Sequence, residues 1–305
     1  MRKFLFFSIL LVLIPYLIVT FFIPKEKEIE FSYEEGIFVR VKRVSQNTID
    51  IVYLEDYVTG VLAGELPISF MEETFKAQAV AARSYVLKKM QYNKNNDYDV
   101  VDTTSDQVYL DTSYLKSVWK SKYVERINKI KKAVLETSLE YLEYDGKIID
   151  AFFFSTSVGF TENSEDVFNL KVPYLRSVKS NWDSKVSPVF KCEYTFSLTE
   201  FYDKLNLNHN DILTVKVLST TSTGRVKTIS INGKTFTGED IYNALKLRST
   251  YFTIEQVFDT VYIETKGYGH GVGLSQYGAE GMAREGFTYE EILKYYYQGV
   301  SLKKI

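Results

Sequence analysis

The stretch EETFKAQAVAARSYVLKKM, residues 72–90, constrains the fold more than any other part of the chain. Phe75, Ala79, Ala82, Val86 and Met90 recur at helical spacing and mark one buried stripe. Alanines at 77, 79, 81 and 82 make this helix slim, so a neighbouring element can approach closely. Ser69-x-x-Glu72 reads as a capping box that opens the helix, which runs to about Met90.

Around it the pattern alternates between strands and helices. Ile37 to Val41 and Thr48 to Tyr53 alternate like strands, and Leu54, Glu55 and Tyr57 lead into a short helix ending near Gly64. A second long helix is predicted over Ser113 to Thr137, with Trp119, Tyr123, Ile127, Ile130 and Val134 on one face. Asp145-Gly146 between EYLEY and KIIDAFFFS signals a tight hairpin. From Tyr194 to about Phe258 the order is helix (Leu198 to Leu205), strand, a hairpin at Asn232-Gly233, and a helix capped by Thr237-x-x-Asp240. A last helix begins at the capping box Thr288-x-x-Glu291. The fold class is α+β, with mixed helices and mainly antiparallel strands. One domain spans 25–193 and 261–305, with an inserted α+β subdomain at 194–260, because the motif-bearing segments lie on both sides of it.

At the N-terminus, Arg2 and Lys3 precede a nearly unbroken apolar run over 4–23 that ends at Pro24. About 20 apolar residues suffice to cross a hydrocarbon core. The run ends in IVTFFIP rather than small residues, so residues 1–24 are predicted to be an uncleaved transmembrane anchor. The positive charges would keep the N-terminus cytoplasmic and send the rest of this single-pass protein outside.

A formal net charge of −2 without a basic stripe argues against a nucleic-acid binder. One cysteine, Cys192, excludes an intrachain disulfide and a cysteine-cluster metal site. The histidines, His209 and His270, are too few for a hydrolytic zinc site, which needs about three protein ligands. GYGHGVGL contains no G-x-G-x-x-G and no phosphate-loop lysine, and Ser275 is not followed by the glycine of a nucleophile elbow. No cofactor is expected.

Three segments remain over-specified for plain packing: GELPISFMEETFKAQAVAARSY, DTTSDQVYLD and GYGHGVGLSQYGAEGM. In the first, Glu65 stands in an apolar run with Leu62, Leu66 and Phe70 and no cation beside it. One explanation is attraction to the positive end of the helix that follows. The other is that its apolar setting keeps it protonated near neutral pH, ready to give a proton to a substrate.

Those segments, with FFFSTSVGFTENSEDVF and PYLRSV and in that order along the chain, resemble the family of stage II sporulation protein D and the amidase enhancers. The resemblance implies a lytic transglycosylase that cuts peptidoglycan between N-acetylmuramic acid and N-acetylglucosamine and leaves 1,6-anhydro ends. It implies Glu65 as the catalytic residue, and Lys76, Arg83, Tyr174 and Arg176 as substrate-groove residues. Gln107, Tyr109, His270 and Gln276 are placed around the same groove. For Arg83 a helix-anchoring salt bridge is the alternative. Some family members bind zinc near the strand-turn segment, but Phe154 stands here where a histidine is common and the nearby cysteines are missing, so no metal is expected. The implied partners are glycan strands stripped of stem peptides, a sporulation amidase and a polytopic membrane protein of the engulfment machinery, at the septal wall. The competing class is a glycan binder that stimulates a separate amidase and cuts nothing.

Overall fold

The structure, a computed structural model, describes residues 4, 9, 11–15, 26–32, 36–209 and 212–305. Strands β1 (Phe38–Arg43) and β2 (Thr48–Tyr53) pair antiparallel, as their alternation predicts. Helices α1 (Leu54–Glu65) and α2 (Glu72–Tyr92) follow, and β3 (Val100–Val101) joins β1 in parallel.

Helix α2 is the wall shared by two cores. Phe75, Ala79, Ala82 and Val86 face one, with Val39, Val58, Val61 and Ile130. Ala77, Val80 and Ala81 face the other, with Leu142, Leu274, Ala279, Ile292 and Tyr296. Small side chains on both faces let elements close in from opposite sides. Burying a side chain such as Phe75 contributes roughly 1.5–3 kcal/mol.

The predicted single helix over 113–137 is two helices. Helix α3 (Thr112–Trp119) ends at Lys120, whose φ of 49 and ψ of −122 break the helical path. A 3-10 turn, Lys120–Lys122, leads into α4 (Tyr123–Glu136). Residues 26–32 lie on α4. There Lys131 Nζ reaches Glu28 at 2.9 Å and the Ile29 carbonyl at 2.7 Å, and the Ile29 N–H donates to Asn128 at 2.8 Å.

Strands β4 (Glu140–Tyr144) and β5 (Lys147–Ile148) form the predicted Asp145-Gly146 hairpin, with positive φ at both turn residues. A short strand β6 (Phe153–Phe154) and helices α5 (Ser164–Phe168) and α6 (Asp183–Val186) follow. Next come β7 (Lys191–Ser197), α7 (Leu198–Leu205), β8 (Val215–Thr220), β9 (Val226–Ile231), β10 (Lys234–Thr237), α8 (Gly238–Leu245), β11 (Phe252–Val257) and β12 (Thr260–Lys266). Sheets β10-β9-β8 and β11-β12-β7 are antiparallel. A third core, centred on Phe201, Tyr202, Ile229, Ile231, Ile241 and Ile263, lies with α7 and α8. Just ahead of β9, Arg225 leaves this region. It sets Nε 3.1 Å from Glu162 and donates from Nη1 to the Gly269 carbonyl at 2.9 Å. The chain ends in β13 (Leu274–Ser275), parallel to β6, then α9 (Gln276–Arg284), α10 (Tyr289–Tyr296) and β14 (Ser301–Lys304). The α+β class with mainly antiparallel strands stands.

Two further expectations need correction. The capping boxes at Thr237/Asp240 and Thr288/Glu291 form, but Ser69/Glu72 does not: the N-cap of α2 is Met71. Its N–H donates to the Glu280 carboxylate of α9 at 2.8 Å, and Thr74 Oγ1 donates to the same oxygen at 2.9 Å. The membrane-spanning helix over 4–23 does not stand either. Among the described residues no helix is long and apolar enough to cross a membrane. Of that run, residues 4, 9 and 11–15 are described, all of them helical. The rest of the expected span lies outside the described residues. The single-pass placement goes with it.

Candidate active site

Glu65 is the last residue of α1, and the chain leaves the helix at Leu66 in an extended conformation. Neither hydrogen-bond partner of its side chain, Val108 or Gln276, belongs to the helix that follows, α2. Glu65 sits at the C-terminal, negative end of α1, where a carboxylate is disfavoured and no basic residue in the last turn offsets it.

Sequence DTTSDQVYL brings the first partner. Gly64 lets residues 107–110 lie against α1, since a Cβ there would stand 2.8 Å from the Val108 carbonyl oxygen. The close approach aims the Val108 N–H at Glu65 Oε1, at 2.9 Å. The glycine-rich segment brings the second. Gly273, at φ +81, passes so close to β6 that a Cβ would meet the Phe152 carbonyl at 2.0 Å. Ser275 then caps α9 and donates to the buried Asp183 carboxylate. That fixes Gln276, the first residue of α9, with Nε2 3.3 Å from Glu65 Oε2.

Burial raises the pKa of Glu65 above the ordinary carboxylate value, against the lowering pull of the Val108 and Gln276 hydrogen bonds. No cation contributes. Below the site, Lys129 of α4 holds the 66–71 turn, donating to the carbonyls of Ile68 at 2.7 Å and Phe70 at 2.6 Å. Half-buried Tyr277 sets its ring edge-on to Phe70, with centroids 5.0 Å apart.

The other predicted residues divide. Gln107 is buried, accepting from Tyr57 Oη at 3.1 Å, and Tyr109 stacks on Tyr57 at 5.4 Å under the Arg43 guanidinium. Both order the loop that presents Val108 and offer little or no surface of their own. His270 lies on the glycine loop among Phe152, Phe154 and Phe168. Its Nδ1 accepts from the Val272 N–H at 3.1 Å, so Nε2 carries the proton donated to the Phe153 carbonyl at 3.0 Å. Burial, and then the charge of Arg225, push its pKa down to about 4. It braces the loop in its neutral form.

Arg83 turns inward. It has no exposed surface, and its guanidinium forks onto Glu55 of α1, with Nε 3.0 Å from Oε1 and Nη2 2.5 Å from Oε2. The salt-bridge alternative is what the side chain does. Lys76 turns to Glu73 at 2.9 Å and Glu136 at 2.6 Å, tying α2 to α4. Tyr174 accepts from the Asp150 N–H at 3.0 Å, and Arg176 pairs with Glu165 and donates to the Val172 carbonyl at 3.1 Å. None of these four touches Glu65. The sequence reading missed Val108, Lys129, Tyr277 and Glu280. Tyr277 and Glu280 lie inside the LSQYGAEGM motif, which was a usable signal, whereas a backbone N–H leaves none.

A family profile described as Stage II sporulation protein matches residues 42–144, and one for a domain of unknown function matches 111–273. Stage II sporulation protein D of Bacillus subtilis (strain 168) is 41% identical over 286 residues, covering 92% of this chain and 83% of that protein. Its counterpart in Bacillus amyloliquefaciens is 43% identical over 276 residues, covering 89% and 80%. The amidase enhancer of Bacillus subtilis (strain 168) is 32% identical over 297 residues, covering 80% of this chain and 40% of that protein. The motif order, the match along most of both chains and the profile over 42–144 lead to one conclusion: the chain belongs to the stage II sporulation protein D family.

Proposed function

We propose that the chain is a peptidoglycan lytic transglycosylase that acts on septal wall during sporulation and leaves 1,6-anhydro ends on muramic acid. One observation carries the reading. Glu65 is a shielded carboxyl group with a raised pKa and no cation, held at both oxygens. Its partners are a backbone amide and a carboxamide rather than a second carboxylate. That suits a reaction in which no water has to be activated.

In this mechanism Glu65, protonated, gives its proton to the glycosidic oxygen as the C1–O bond breaks and the electron pair leaves with that oxygen. The C6 hydroxyl oxygen of the same sugar then bonds to C1, and its proton returns to the Glu65 carboxylate. Between the two transfers, the Val108 N–H and the Gln276 amide stabilise the carboxylate. Residues 25–193 and 261–305 form the catalytic domain and 194–260 an insertion. The substrate is a glycan strand freed of stem peptides by an amidase, in company with a polytopic membrane protein.

The relative called amidase enhancer favours a second reading, a glycan binder that stimulates an amidase. Mass analysis of peptide-free glycan strands incubated with the protein separates the two. The transglycosylase releases fragments one water lighter than hydrolysis products, and the binder releases none.

A further inference from the structure

With Lys76 and Arg83 engaged by internal carboxylates, a substrate that carries carboxylates has to be met by other cations. Peptide-free glycan is such a substrate, because removal of the stem peptide leaves a free lactyl carboxylate on every muramic acid. The surface at the α3–α4 junction carries the cations for it.

Between residues 114 and 126 stand Lys116, Lys120, Lys122 and Arg126 against one carboxylate, Glu125, in a chain of net charge −2. The side chains of Lys120, Lys122 and Arg126 make no ion pair or hydrogen bond among the described residues. Lys120 and Lys122 are exposed, and Lys120 occupies a backbone region (φ 49, ψ −122) that favours glycine. Such strain in a lysine marks a place where the side chain matters. Arg126 rests its guanidinium 5.8 Å from the Trp119 ring, which orients the group while its N–H fork stays unused. Tyr114 and Val118, each more than half exposed, share a face of α3 and offer apolar surface to sugar rings.

This surface adjoins the catalytic carboxyl. Trp119, Ala63 and Leu110 pack against the same small cluster of Leu115, Tyr123 and Ile127, and Ala63 precedes Glu65 by two residues. Further along α4, Lys129 holds the carbonyls of Ile68 and Phe70 in the turn after Glu65.

We infer that Lys120, Lys122 and Arg126, with Trp119 behind them, form a subsite that reads the lactyl carboxylates of a peptide-free glycan strand beside Glu65. The inference rests on the transglycosylase reading, and it names the residues that select the anionic strand over a neutral one.

The test uses the full chain carrying Glu65→Gln, so that ligand is bound and not consumed. Affinity is measured by calorimetry for peptide-free glycan strands and for chitin oligomers, which lack the lactyl group, at low and high salt. Lys122→Gln with Arg126→Gln should weaken strand binding about ten-fold, flatten its salt dependence and leave chitin binding unchanged. Lys120→Gly keeps the backbone turn and removes the charge, so it should raise the melting temperature while weakening strand binding. Unchanged strand affinity in both variants, or equal loss for strand and chitin, would overturn the inference. Absence of anhydro ends from wild-type protein would instead sink the transglycosylase reading, and the two failures read out separately.

Discussion

Gln276 places its side-chain amide 3.3 Å from Glu65 Oε2 across a sequence separation of 211 residues. A carboxamide can present either its N–H or its carbonyl, so it can follow the carboxyl group through both protonation states. The fold thus holds the acid without a charge that would fix it in one form.

The raised pKa of Glu65 has a consequence for stability. Between the ordinary carboxylate value of 4.5 and the raised folded value, the folded state binds more protons than the unfolded one, so this group makes stability fall as pH rises. Its contribution is full below 4.5 and lost as pH climbs through the folded value. Glu65→Gln stays neutral and keeps an acceptor for Val108. It should be more stable than wild type at neutral pH and lose that advantage below 4.5, as read by urea unfolding at several pH values.

His270 acts in the opposite sense. With its pKa depressed from 6.5 to about 4, the unfolded state binds more protons across that window, and stability falls as pH drops through it. His270→Gln should flatten the slope of melting temperature against pH between 6.5 and 4, though it lowers the temperature at neutral pH.

Arg83 and Glu55 make a buried pair, and removing one partner strands the other. Arg83→Met should cost about 3–5 kcal/mol, and adding Glu55→Gln should recover part of it. Because Arg83 has no surface, glycan affinity of the folded double variant should match wild type. A selective loss of affinity without loss of stability would return Arg83 to the groove.

Glu280 supplies the start of α2 from another helix, so Glu280→Ala leaves the Met71 N–H and the Thr74 hydroxyl without their acceptor. The expected loss is about 1–3 kcal/mol in denaturant unfolding, with Glu280→Gln milder because one oxygen remains.

What the sequence discloses depends on how far apart the partners lie. The boxes at Thr237/Asp240 and Thr288/Glu291 are legible because donor and acceptor are three residues apart. Ser69/Glu72 has the same spelling, yet the cap comes from Glu280, 209 residues away, and no local rule could find it. The break at Lys120 carries no glycine or proline to announce it. Glu65 is legible because its apolar neighbours and lack of cations are written beside it. The partners of Lys76 and Arg83 are not legible because the carboxylates, Glu136 and Glu55, belong to other helices.

The central claim is that one carboxyl group serves as acid and then base. Its most direct test is product mass from peptide-free glycan strands digested by wild type and by Glu65→Gln in parallel. The account predicts anhydro ends from wild type and a rate roughly 100- to 10,000-fold lower from a variant that folds normally. Anhydro ends released at equal rates by both proteins would contradict it.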